Sequence, residues 1–254
     1  VLEARLGAVH IDMPNGPSRF SEDRARRYIT DANRLSEIVQ TNSIERSIYI
    51  LNETPGIAVA SQLEQGQNEG EVDIRLSLSD TKLTRGRVEA NNFGSRSTGI
   101  VQGIGSLFVD GLLGIGDQLA LSGVKSEGST YRLASVSVPL NTDSLRLGMT
   151  VSQLQYANIN QFAYPRNVGG AKGEATTVGL SLAYALKRSA ASNSNISLGF
   201  DRKRYANQQQ FDSSYTSQYQ IRNLVLGYTA NRYDGFWGGG VTQGGVSLTR
   251  GHLE

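Results

Sequence analysis

Apolar and polar residues alternate with a period of two along the last two thirds of the chain. In "SLRLGMTVSQL", Leu145, Leu147, Met149 and Val151 fall on one side, and Arg146, Gly148, Thr150 and Ser152 on the other. "TTVGLSLAYALK" repeats the pattern, with Val178, Leu180, Leu182, Tyr184 and Leu186 opposed by Gly179, Ser181, Ala183 and Ala185. Ile196, Leu198 and Phe200, then Leu224, Leu226 and Tyr228, then Val246 and Leu248 continue it. Successive side chains of a strand point to opposite faces, so this period predicts strands. With turn signals at "SEGST", "NTDS" and "SAASNSN", residues 81–254 predict about nine strands and no helix.

Residues 1–80 read differently. "ARLGAVHID" predicts a strand, ended by "PNGP". Ser21 is placed to cap a helix that carries Glu22 and Asp23 in its first turn and an apolar stripe of Ala25, Tyr28, Ile29, Ala32 and Leu35. Asn42 followed by Glu45 has the form of a capping box, ahead of a second stripe of Ile44, Ile48 and Leu51. Pro55 and Gly56 stop that helix, and strands are predicted over 57–63 and 71–78. The order β-α-α-β-β predicts a small α+β layer pair with helices on one face of the sheet. Strand 57–63 is expected at an edge, with Ile57, Val59 and Leu63 turned toward the helices.

Composition changes at the same place. Residues 1–80 hold 5 of the 29 glycines, 13 acidic and 8 basic residues, while the remainder holds 24 glycines, 10 acidic and 17 basic residues. The net charges are thus −5 and +7, which predicts two modules with a boundary near residue 80. No stretch approaches the ~20 apolar residues of a membrane-spanning helix. Spanning strands need only alternation, and they leave mean hydropathy low, as it is here at −0.32. Alternation alone also fits a soluble β-sandwich, whose apolar face meets a second sheet. Small and polar opposite faces, long strands and tyrosines near strand ends favour lipid on one side and a wet lumen on the other. The opening "VLEARLGAVHID" is charged and strand-like, unlike a signal peptide.

Candidate chemistry is sparse. "VQGIGSLFVDGLLGIGDQLALSG" holds two G-x-G tripeptides, but Phe108 stands where a dinucleotide fingerprint needs its third glycine. The segment predicts two strands joined by a turn over 110–117, with glycines thinning a barrel wall. His10 and His252 are far apart and lack a ligand pattern, and the chain has no cysteine. "SDTK" over 79–82 matches S-x-x-K without its partner motifs and reads as a linker. "RKR" over 202–204 lies within an alternating strand and reads as a charged loop or pore edge, not a nucleic-acid patch. These residues predict no catalytic group, no metal site, no cofactor, no small-molecule substrate and no nucleic-acid partner.

"IERSIYILNETPGIAVASQLEQGQNEGEVDIRLSLSD", then "TRGRVEANNFGSRSTG", resembles the second polypeptide-transport-associated (POTRA) domain and first barrel strand of the two-partner secretion transporters. The likeness runs on through "GLLGIGDQLALSGVKSEGSTYRLASVSVPL" and "LRLGMTVSQLQY". It implies a periplasmic POTRA-like domain over 1–80 and the leading part of an outer-membrane β-barrel over 81–254, in a Gram-negative bacterium. It also implies export of a large haemolysin- or adhesin-type exoprotein, received unfolded and passed to the surface without nucleotide hydrolysis. Two alternatives stay open: a related POTRA-barrel protein that inserts outer-membrane proteins, and a small porin-like barrel. On this reading the client pairs with the edge strand Ile57, Ala58, Val59, Ala60, Ser61, Gln62 and Leu63, or else lies in a helix groove around Tyr28 and Tyr49. Arg146, Thr150, Ser152 and Ser181 are expected to face the lumen, and the opposite side to meet outer-membrane lipid.

Overall fold

The computed structural model describes residues 4–159, 170–209, 216–235 and 238–254. The chain begins with β1 (Arg5–Asp12), α1 (Glu22–Thr30), α2 (Thr41–Asn52), β2 (Ile57–Gln65) and β3 (Glu71–Asp80). The three strands form a sheet of order β1-β3-β2, in which β3 runs parallel to β1 and antiparallel to β2. These five elements make up the head of the molecule. Ile74, Leu76 and Leu78 of the central strand are at most 1% exposed, packed with Leu6, Ile29 and Leu51 under the two helices.

Local chemistry sets the helix ends. Ser21 Oγ accepts from the Arg24 amide at 3.3 Å, and Glu22 and Asp23 follow in the first turn of α1. The helix stops at Thr30, short of the predicted stripe, and Ala32 and Leu35 are exposed. Competing backbone partners account for this. Ser36 donates to the Leu6 carbonyl at 2.6 Å, and Val39 to that of Ala4 at 2.8 Å, so the segment adds to β1 and leaves the helix. The capping box at Asn42 does not form either. Gln40 occupies the cap without a side-chain bond, and Glu45 Oε1 accepts from the Ala190 amide at 3.1 Å, far away in the chain.

Nine further strands follow: β4 (Thr84–Asn91), β5 (Gln102–Asp110), β6 (Gln118–Ser126), β7 (Ser129–Pro139), β8 (Arg146–Ala157), β9 (Ala171–Arg188), β10 (Ser192–Gln209), β11 (Thr216–Asp234) and β12 (Gly240–Leu253). Each pairs antiparallel with its sequence neighbour, giving an open meander with β4 and β12 at its edges. Strands β9 to β11 have 18, 18 and 19 residues, about 60 Å each at ~3.3 Å per residue.

Register collects the apolar residues into rows. Leu147, Leu182, Leu198, Leu226 and Leu248 are consecutive cross-strand partners, as are Met149, Leu180, Phe200 and Leu224. Directly paired residues share a face, so these rows form one apolar belt. Leu180 is 51% exposed and Leu248 is 67% exposed. Among the described residues nothing lies over the belt, and the only buried apolar residue of this sheet is Ala185. A β-sandwich would cover such a face with a second sheet, and none is present among the described residues.

Candidate functional site

Strand β2 is the free edge of the head, as expected from the sequence. Ile57 and Val59 are buried beneath α2, but Leu63 is 63% exposed. The expected packing of Leu63 fails because β2 runs on to Gln65, past the end of the helical layer that covers Ile57 and Val59. Val59 donates its N–H to Asn52 Oδ1 at 3.1 Å, away from β3. The β2–β3 register is unbroken, so antiparallel alternation puts the N–H groups of Ser61 and Leu63 on that same free side. Ala58, Ala60 and Gln62 are turned toward β3 by the same rule, and their exposed side chains lie over the sheet face opposite the helices.

That opposite face is charged. Arg75 Nη1 lies 2.9 Å from Asp12 Oδ2 and its Nε 2.7 Å from Glu64 Oε1, so one guanidinium ties all three strands together. Its hydrogen bond holds the Glu64 carboxyl below the usual carboxylate range. Asp73 is likewise held low, first by the Ala8 amide at 2.8 Å and then by His10 at 3.2 Å. The second candidate surface divides in two. Tyr28 is 4% exposed and belongs to the core, with its ring 6.1 Å from that of Phe20, whereas Tyr49 stands on the surface at 36%. The two tyrosines therefore do not line a common open groove.

Arg146, Thr150, Ser152 and Ser181 share one face of the large sheet, opposite the apolar belt. Arg146 pairs with Ala183, Thr150 with Gly179, Ser152 with Thr177 and Ser181 with Gly148. Asp201 and Asn223 extend this polar row, joined at 2.9 Å. Arg146 sits at the head end of the face, where its Nη2 donates to the Gly116 carbonyl at 2.9 Å and its Nε to Ser137 Oγ at 3.0 Å.

The glycine-rich turn over 111–117 has a role that its composition did not reveal. Gly111 and Gly114 both have φ of +68°, and Gly116 has φ of +82°. A side chain at Gly114 would overlap the Arg19 carbonyl, and one at Gly111 would approach the Pro55 carbonyl to 3.2 Å. These glycines let the turn lie against the head. Gly103 and Gly105, expected to thin a lumen wall, instead share the apolar face with Leu107 and Val109.

Side chains complete this junction. Arg19 donates to Asp80 at 2.9 Å, to the Thr81 carbonyl at 3.0 Å and to the Asp110 carbonyl at 3.3 Å. Burial pushes the Asp80 carboxyl up, but hydrogen bonds from Ser18 and Arg19 outweigh it and hold the group low. From α2, Arg46 reaches Asp143 and the Ala185 carbonyl at 2.8 and 2.6 Å. Arg188 returns the contact from the β9 end, 2.8 Å from Glu53. All of these partners are more than 60 residues apart, and no local pattern marks them.

The family profile described as "Haemolysin secretion/activation protein ShlB/FhaC/HecB" matches residues 70–252, from the start of β3 to the end of β12. Among curated proteins the chain is similar to the heme/hemopexin transporter protein HuxB of Haemophilus influenzae, 25% identical over 259 residues. That match takes in 100% of this chain and 43% of HuxB, so the chain spans less than half the length of the relative. HuxB of strain 86-028NP is 24% identical over 258 residues, with the same coverage of 100% and 43%. Among solved structures the chain is similar to CdiB from Escherichia coli, with TM-score 0.77 and 20% identity over 99% of this chain and 46% of that one. CdiB from Acinetobacter baumannii gives 0.70 and 16%, again over 99% and 46%. BamA from Haemophilus ducreyi lacking POTRA domains 1–3 gives 0.52 and 13%, over 97% and 55%. At these identities the structural likenesses speak for the fold. The family profile covers well over half of the chain, which therefore belongs to the ShlB/FhaC/HecB family of haemolysin secretion and activation proteins, the two-partner secretion transporters that its sequence resembles.

Proposed function

We propose that residues 1–80 are a periplasmic POTRA-like domain that receives an unfolded exoprotein, and that residues 81–254 form the leading wall of the outer-membrane barrel that exports it. The apolar belt faces lipid, and the face bearing Arg146, Thr150, Ser152 and Ser181 lines the path. The observation that carries this reading is the free edge of β2, joined through hydrogen bonds and ion pairs to a sheet with one apolar and one polar face.

An extended client adds to the β2 edge as a further strand. Main-chain pairing asks little of the client's sequence, which suits a long and varied cargo. Each hydrogen bond contributes about 0.5–1.5 kcal/mol net, so pairing along Ser61, Leu63 and Gln65 holds a segment briefly and then lets it go. Small and hydroxylated side chains along the polar face offer the moving chain few apolar holds. No step in this scheme requires an acid, a base or a bound nucleotide.

Ser61→Pro in the full-length transporter tests the scheme. It removes an N–H on the free side of an edge strand, where proline leaves the β2–β3 ladder intact. Secretion of the partner exoprotein is expected to fall about tenfold, the effect of losing one or two such bonds. The amount of heat-modifiable transporter in the outer membrane is expected to stay the same. Unchanged secretion with the variant folded would remove β2 as the receiving edge and leave the exposed surface around Tyr49.

A further inference from the structure

The "RKR" segment lies inside β10, so it is strand and not a loop. Alternation splits it. Arg202 and Arg204 continue the face of Leu198 and Phe200, while Lys203 points the other way, 3.7 Å from Asp201. Arg202 is thus the next outward residue after the belt, about 7 Å beyond Phe200 along the strand. It lies on the side away from the head, because β10 starts at the head end with Ser192.

Neighbouring strands repeat this placement. Arg222 of β11 is the direct partner of Arg202, and Arg250 of β12 is the partner of Leu224. Four arginines therefore rim the far edge of the belt across three adjacent strands. Like charges set directly opposite in a sheet repel one another and need a counter-charge. Little is supplied by the protein. Arg202 and Arg204 share one neutral acceptor, Gln220 Oε1, at 2.6 and 3.4 Å, and Arg222 meets Glu254 at 3.0 Å. Arg250 has no ion pair among the described residues.

A surface groove of about 290 Å³ joins the two chemistries. Its floor is Val178, Leu180 and Phe200, and Arg202 and Arg204 stand at one end. An apolar floor that ends in guanidinium groups matches a molecule with a hydrocarbon tail and an anionic head. Arginine is suited to phosphate because its planar fork donates two parallel bonds.

We propose that this outward rim binds the phosphate groups of a phosphorylated lipid in the membrane leaflet farther from the head, with an acyl chain lying on the Val178–Leu180–Phe200 floor. The proposal rests on the reading of the apolar belt as lipid-facing. The bound anion bridges Arg202 and Arg222 and removes the repulsion between them. It thereby ties together three long strands that have no apolar core of their own.

The test uses the full-length transporter, purified in detergent and titrated with diphosphoryl lipid A under native mass spectrometry. Wild type is expected to retain the lipid. Arg202→Gln combined with Arg222→Gln is expected to bind it about tenfold more weakly. Monophosphoryl lipid A should lie between the two, and an equal concentration of inorganic phosphate should not displace the lipid. Equal retention by the double variant, or displacement by inorganic phosphate, would overturn the proposal. Recovery from the outer membrane and heat-modifiability of each protein separate this outcome from failure of the underlying reading. A wild-type protein absent from the membrane sinks the lipid-facing assignment, whereas a well-inserted double variant with undiminished binding sinks only the lipid site.

Discussion

Asp73 is the one buried charged residue of the head among the described residues, at 6% exposure, and it fills the place left by a glycine. A side chain at Gly7 would overlap its carboxylate, and the β1–β3 register shifts between Leu6 and Val9 to admit it. The carboxylate then accepts from Ala8 and His10, 65 and 63 residues away, which lowers its pKa. A carboxyl whose folded pKa is depressed adds stability above its unfolded value, and that stability is lost as pH falls through the folded value. Wild type and Asp73→Asn should therefore differ at pH 7, and the gap should close below about pH 4, near the unfolded carboxyl. Hydrogen exchange of β1 amides in the full-length protein, corrected for intrinsic rates, measures this. A gap of constant size from pH 7 to pH 3 would refute the assignment. Nothing in the sequence marks Asp73, since its partners come from another strand, and the same is true of Arg19, Arg46 and Arg188. Ser21 was legible because a cap acts within three residues.

For single elements, period two was a sound guide because a strand's faces are fixed by its own backbone. Leu147, Met149 and Val151 do oppose Arg146, Gly148, Thr150 and Ser152, and the turn over 110–117 lies between β5 and β6. Helix ends were less legible. A stripe continuing to Leu35 shows which residues are apolar, but not that Ser36 and Val39 find better backbone partners on β1. The contact that Gly114 and Gly116 make with the head was not legible for a related reason, since a close approach depends on what is approached. The faces of the strands carry a direct consequence. With the belt in lipid, Leu180→Arg in the full-length barrel should cost about 2–4 kcal/mol, and Thr150→Arg close to nothing. Urea unfolding from liposomes ranks the two, and the reverse order would assign the faces the other way round.

Across the whole molecule, head and wall are joined by more than their short linker. The 111–117 turn, the Arg46–Asp143 and Arg188–Glu53 ion pairs and the Arg19 fan fix β2 beside the head end of the wall. The sheet itself is open at β4 and β12 among the described residues, and the relative HuxB is more than twice as long as this chain. Composition, charge and period all change near residue 80, where the three-stranded sheet ends with β3 and the nine-stranded sheet begins with β4. The docking of head and wall was not legible in the sequence, because every contact that makes it joins distant parts of the chain. Crosslinking shows directly whether a client moves along the polar face, as proposed. This chain has no cysteine, so Ser152→Cys and Ser181→Cys can be compared with Val151→Cys and Leu182→Cys in a full-length, otherwise cysteine-free transporter holding an arrested client. Thiol crosslinks to the client are predicted from positions 152 and 181, and not from 151 and 182, which should react instead with a membrane-dissolved maleimide. Client crosslinks from the belt positions, or from neither face, would contradict the account.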